Sequence, residues 1–222
     1  MASVEMKTQL ARRMEDSAGV IFKPEAVLYE ALTEGQKKAA RFLRDEYLSA
    51  LEKTALSKQT TLGVLDVTES VLGEKPLRGG TSVQGVRISN STTWLRIVKR
   101  SDLPKTQSAF FQGHIRDPWC YIYGNKIICV PSSIRLVDVL YLKATGTISA
   151  DSEPDLDDDF YNLILLGAEE ELWSSVENKK RSDAAHDRFI IEAAVFNERL
   201  NPPKDTGMET ESTDGQGNGR RR

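Results

Sequence analysis

Few residues in this chain could carry catalysis. It has two histidines, His114 and His186, and two cysteines, Cys120 and Cys129. A Ser/His/Asp triad needs an imidazole poised beside a nucleophile, and neither histidine sits in a motif that supplies one. His186 follows a polar helical pattern next to Asp187, and His114 falls in a long excursion between strands, so both read as surface residues. The acidic run Asp151, Glu153, Asp155, Asp157, Asp158 and Asp159 offers metal-ligand chemistry. It lacks the Gly and the spaced Glu of a calcium loop. Carboxylates ahead of a helix are favoured by capping and by the helix dipole, and that reading is preferred. The loop Gly73-Glu74-Lys75-Pro76-Leu77-Arg78-Gly79-Gly80-Thr81 has glycines but no Gly-Lys-Ser/Thr ending, so it makes no phosphate cradle. With no CxxC pair and no Cys/His cluster, zinc is not expected either. These residues point to a protein that is not an enzyme and uses no cofactor.

The cysteines belong to a hairpin. Trp119–Tyr123 and Lys126–Val130 are rich in β-branched and aromatic residues, and Gly124-Asn125 between them suits a type II′ turn. A two-residue loop sets the register: Tyr123 faces Lys126, Ile122 faces Ile127, Tyr121 faces Ile128, and Cys120 faces Cys129. The last pair falls at a non-hydrogen-bonded position, with Cα atoms about 4.5 Å apart, within disulfide reach. Sparse cysteine and the lack of any sign of an oxidising compartment favour two buried, reduced thiols.

Amphipathic segments flank this β region. Ser3–Asp16 reads as a first helix, broken at Ser17-Ala18-Gly19. Pro24 suits the first turn of a second, and Leu28, Leu32, Ala39, Leu43, Tyr47 and Leu51 extend a helical stripe to about Leu56. Gly35 interrupts it, at a cost of about 1 kcal/mol relative to Ala. Strand patterns cover Thr60–Thr68, Val83–Ser89, Trp94–Val98 and Leu136–Lys143 as well as the hairpin. After a charged linker, Ser149–Asp159, the residues Phe160, Leu163, Ile164, Ala168, Leu172, Trp173 and Val176 recur at helical spacing. Ser182 or Asp183 then caps a last helix carrying Phe189, Ala193, Phe196 and Leu200, stopped by Asn201-Pro202-Pro203. The fold class is α+β: a helical body of long amphipathic helices with an inserted small antiparallel β domain and a flexible C-terminal tail. The parts are 1–58 (helical), 59–148 (β domain), 149–200 (helical, packing on the first) and 201–222 (tail).

Composition narrows the partners. A net charge of −3 is unlike a general nucleic-acid surface, which carries a basic excess. No apolar h-region opens the chain, and no run approaches the roughly 20 residues of a membrane helix, so no membrane partner is expected. Residues 204–222 cannot form a core of their own. Arg220, Arg221 and Arg222 could touch phosphate or the acidic wall of a partner, or serve as a solubilising end.

The order of parts resembles the head-to-tail adaptor (connector or gatekeeper) proteins of tailed bacteriophages, and is similar to the podovirus tubular-tail-A type. The resemblance covers roughly residues 20–200. It rests on the Leu-striped helix, the segment Val86–Leu103, the hairpin Tyr121-Ile122-Tyr123-Gly124-Asn125-Lys126-Ile127-Ile128-Cys129-Val130-Pro131, the strand Val137–Lys143, and the helix start Leu156-Asp157-Asp158-Asp159-Phe160-Tyr161. The chain departs from shorter members in its Thr60–Gly80 arm and its basic C-terminal end. The resemblance implies a virion protein of the neck, made in the host cytoplasm. Copies of itself would form a ring, twelvefold like the portal, beneath the portal protein. The hairpin residues Tyr121, Tyr123, Gly124, Asn125 and Lys126 would project towards tail or nozzle proteins. Phe189, Phe196, Leu200, Pro202, Arg220, Arg221 and Arg222 would contact the portal. Genomic DNA would pass through the lumen without sequence readout. The alternative, from the residues alone, is a cytosolic single-stranded nucleic-acid-binding module stacking bases on Trp94, Trp119, Tyr121 and Tyr123.

Overall fold

The computed structural model describes residues 2–14, 25–92, 94–99 and 117–199. The expected break at Ser17-Ala18-Gly19, Pro24, the excursion containing His114, and everything from Leu200 onward lie outside the described residues. The protein is mixed α+β with antiparallel sheets. Helices α1 (Ala2–Arg13) and α2 (Glu25–Phe42) come first. The β region follows: β1 (Glu52–Gln59), β2 (Val64–Asp66), the single-turn α3 (Glu69–Leu72), β3 (Val83–Ile88), β4 (Arg96–Ile97), β5 (Trp119–Tyr123), β6 (Lys126–Val130) and β7 (Leu136–Leu142). Helices α4 (Tyr161–Ser175) and α5 (Lys179–Arg199) come after it.

Two apolar cores follow this division. One gathers Met6, Leu10, Leu28, Leu32, Leu163, Ile164, Phe189 and Phe196, so both ends of the described chain build a single helical body. The other gathers Leu65, Val86, Cys120, Ile127, Cys129, Val137 and Tyr141 from the strands. Helix α4 is buried on nearly every side, from Leu163 through Ala168 and again at Leu172 and Trp173, because α1, α2 and α5 all pack on it. Gly35, which looked like a defect in α2, marks where α2 meets α4. A Cβ there would run into the Ile164 carbonyl oxygen and lie 2.8 Å from Ala168 N. Gly167 faces it, its own Cβ position 3.0 Å from Gly35 Cα. The helices meet backbone to backbone, which only glycine permits.

The strands form two sheets, ordered β1-β7-β3 and β2-β6-β5-β4. All pairs are antiparallel except the two-residue β4–β5 contact. In the hairpin, Tyr123 faces Lys126, Ile122 faces Ile127, Tyr121 faces Ile128 and Cys120 faces Cys129, as the two-residue loop requires. Gly124 has φ +57°, and Asn125 is absent from the positive-φ residues, the pattern of a II′ rather than a I′ turn.

Several local expectations differ from the structure. The second helix ends at Phe42, not near Leu56: two 3-10 turns (Asp45–Tyr47 and Ser49–Leu51) lead into β1 at Glu52. Leu43, Leu48 and Leu51 are nonetheless buried, because 3-10 turns repeat apolar positions at nearly helical spacing. Thr60–Thr68 supplies only the short β2. The last helix begins at Lys179 rather than after Ser182 or Asp183. Glu177 turns the chain at φ +57°, and Asn178 Oδ1 accepts the Arg181 N–H at 3.3 Å as the cap. The acidic run does not cap by side chain either at its 3-10 onset (Asp158–Phe160) or at α4. Asp155 instead fastens the linker: it accepts from Gly146 N at 2.5 Å and from Lys143 Nζ at 3.3 Å. The same linker is pinned to α2, since Asp155 N donates to Gln36 Oε1 (2.7 Å) and Ile148 N to Thr33 Oγ1 (2.9 Å).

Candidate functional site

The hairpin tip is an exposed but braced surface. Tyr123, Gly124, Asn125 and Lys126 are exposed, and Tyr121 is half-buried. Asn125 anchors them. Its side-chain Oδ1 accepts from Gly80 N at 3.1 Å, and its carbonyl accepts from Val67 N at 2.7 Å. The 3-10 turn Gly79–Ser82 comes so close that a Cβ on Gly79 would strike Asn125 Oδ1 and one on Gly80 would strike the Gly124 carbonyl. The loop Gly73–Gly80 is therefore a cradle for the hairpin rather than for a phosphate.

The same turn reaches the helical body through Arg78. Its Nη2 donates to Ala40 O and Leu43 O, both at 2.7 Å, and its Nη1 to Asp45 Oδ1 at 2.7 Å. The carbonyls at the end of α2 need such donors, and a cation there suits the helix dipole. Gln84 Nε2 holds the other Asp45 oxygen at 2.9 Å. From the opposite side, Asn197 on α5 donates from Nδ2 to Phe42 O and accepts from Arg44 N, each at 3.0 Å. An open cleft of about 740 Å³ lies here, lined by Arg41, Arg44, Asp45, Glu46, Glu52 and Arg78 among others. Its mixed charges select no one ligand sign.

The titratable groups are built into structural contacts. His186 Nδ1 lies 3.2 Å from both Glu170 oxygens and 3.3 Å from Lys38 Nζ, and Lys38 pairs with Glu170. This group ties α5 to α2 and α4, and no hydroxyl or thiol nucleophile is among its partners. Asp138 is buried in the β1-β7-β3 sheet. It accepts from Ser57 N (2.8 Å), Ser89 Oγ (2.7 Å) and Arg87 Nε (2.9 Å). These donors, the Ser57 N–H foremost, hold its carboxyl below the usual range. Burial raises the thiol of Cys120 to about 12, helped by Cys129, and that of Cys129 to about 11. Among the described residues, no group of three or more His, Cys, Asp and Glu side chains could hold a metal ion. No helix there is long and apolar enough to cross a membrane.

The residues expected at a portal contact separate. Phe189 (0% exposed) and Phe196 (7%) are core residues, packed edge-on against Phe42, Tyr47 and Phe160, so their rings are not on the surface. Helical spacing placed them on the apolar face, and that face points inward. Leu200, Pro202, Arg220, Arg221 and Arg222 lie outside the described residues. The aromatic set divides as well. Trp119 is 5% exposed, and Trp94 (47%) lies over Gly85, with Arg87 Cζ 5.4 Å from its ring centroid. Arg78, Asn197 and Asp138 gave no signal in sequence because their partners are distant along the chain. No protein-family model matches this chain, and no curated protein does.

Proposed function

We propose that this protein is a head-to-tail adaptor of a tailed bacteriophage, a non-catalytic virion protein. It forms a ring with its own copies below the portal, connects capsid to tail, and lets the genome pass. The observation that carries this reading is the insertion: helices from both ends of the described chain share one core, and the strands between them hold another. On this reading the amphipathic helical body is the ring-forming part. The small antiparallel β domain presents the hairpin tip to tail or nozzle proteins. The portal contact falls to the outward side of α5, where Ile191 and Val195 are exposed, and to the arm containing Leu200, Pro202 and Arg220–Arg222. A net acidic chain suits a conduit, since a lumen that held phosphates would slow the DNA. The test is a particle reconstruction at the portal–tail junction, with density expected for this chain in a closed ring. A resolved neck built wholly from other chains would overturn the proposal. Of the four aromatic residues that the nucleic-acid alternative uses, Trp119 is buried, Tyr121 is half-buried, and Trp94 and Tyr123 are exposed.

A further inference from the structure

We propose that Cys120 and Cys129 are a site of oxidative modification, closing into a reversible cross-strand disulfide that staples the β5–β6 hairpin. The two stand directly opposite each other in the ladder. Their backbone groups give the phase of that ladder. Cys129 N donates outward to Gly63 O at 2.7 Å, and Cys120 O accepts from Val98 N at 2.8 Å on the other side. Groups that turn away from the partner strand define a non-hydrogen-bonded pair, where facing Cα atoms approach to about 4.5 Å. That falls inside the Cα range of disulfides, which starts at about 4.4 Å. Both side chains enter the same apolar core, and both thiols are free. The flanking cover is thin: β4 contributes two residues beside β5, and β2 three beside β6. Local opening there costs less than global unfolding.

The oxidant is a small disulfide such as oxidised glutathione. One cysteine thiolate attacks a glutathione sulfur and releases a glutathione thiolate. The second cysteine thiolate then attacks the cysteine sulfur of the mixed disulfide and expels the other glutathione. The two cysteine protons end on the two glutathiones, so one disulfide is reduced as one forms. Burial disfavours both thiolates in the closed hairpin, so exchange proceeds from the opened form. This inference does not depend on the adaptor reading.

The experiment equilibrates the full chain under native conditions across a series of reduced-to-oxidised glutathione ratios. Samples are acid-quenched, denatured, alkylated and weighed intact. At oxidising ratios the expected product is monomeric, lacks two hydrogen atoms, takes up no alkylating agent, and yields a Cys120–Cys129 cross-linked peptide. Its melting temperature should rise by several degrees, and excess dithiol should reverse both changes. Cys129→Ser, checked for folding by circular dichroism, should give no intramolecular product. Two alkylatable thiols at the most oxidising ratio would overturn the proposal. So would a stalled single glutathione adduct, cross-linked dimers alone, or an oxidised form that melts no higher than the reduced one.

Discussion

Asp138 shows how a single side chain can set a pH dependence. Strand β1 bulges between Ala55 and Lys58, and Ser57 takes φ +50°, an uncommon conformation for a serine. The Asp138 carboxylate holds the Ser57 N–H in that bulge while pairing with Arg87. Its folded pKa is depressed, so its contribution is fully present above the unfolded value of about 3.9 and is lost as pH falls through the folded value. Asp138→Asn should therefore be less stable than the parent near neutral pH, with the gap closing below about pH 4. Urea melts at a series of pH values read this directly; a gap that stayed constant down to about pH 2 would show the charge to be irrelevant. Gly124 makes a second residue-scale test. Nothing crowds its Cβ position, so only its φ of +57° opposes a side chain. Gly124→Val should destabilise the protein by more than about 1 kcal/mol in equilibrium unfolding. The glycine was legible in sequence because a hairpin turn is local. Asp138 was not, because Ser57, Arg87 and Ser89 are remote along the chain and only the folded sheet collects them.

Between elements, close approach outweighs propensity. Gly35→Ala would return about 1 kcal/mol of helix propensity to α2. The added methyl would meet the Ile164 carbonyl and Ala168 N, which are backbone atoms of a helix buried on nearly all sides. Overpacking of that kind costs about 1–3 kcal/mol, so the net expectation is a loss of stability and a lower melting temperature. A variant that melted higher would show α2 and α4 free to separate. Arg78 makes the matching test for the ends of elements. Arg78→Ala strips donors from Ala40 O and Leu43 O and leaves Asp45 with Gln84 alone, so a cost of about 1–3 kcal/mol is expected. Amide exchange should speed up over the last turn of α2 and the turns after it; unchanged protection there would remove Arg78 from the capping role. These contacts explain where sequence reading succeeded and failed. Strands β5, β6 and β7 were legible because alternation and a two-residue turn are short-range. The end of α2 was not, because Arg78 and Asn197 terminate it from the β region and from α5, and the apolar spacing runs on unbroken into the 3-10 turns.

For the whole molecule, the sequence conveyed the order helix, β, helix, and the structure adds that the helices flanking the strands form one body while the β part hangs from it by Arg78, the β1 entry and the linker pinned at Gln36. On the adaptor reading, docking by the C-terminal arm should be separable from the fold. Residues 204–222 contain one large apolar side chain, Met208, and end in Arg220, Arg221 and Arg222, so their composition cannot build a core of its own but offers bidentate donors for carboxylates. Removing 204–222 should leave the melting temperature nearly unchanged. On the adaptor reading it should also weaken association with isolated portal rings, measured by co-sedimentation or interferometry. Replacing only Arg220, Arg221 and Arg222 with Ser should weaken it less, and mainly at low salt, where exposed charges are least screened. Ordering the arm consumes part of the binding free energy, so truncation loses the contacts and the ordering cost together, and the net change falls short of the sum of the contacts. Truncated protein that bound portals with unaltered affinity would reduce the arm to a passive end. Loss of the melting transition on truncation would instead place these residues within the fold.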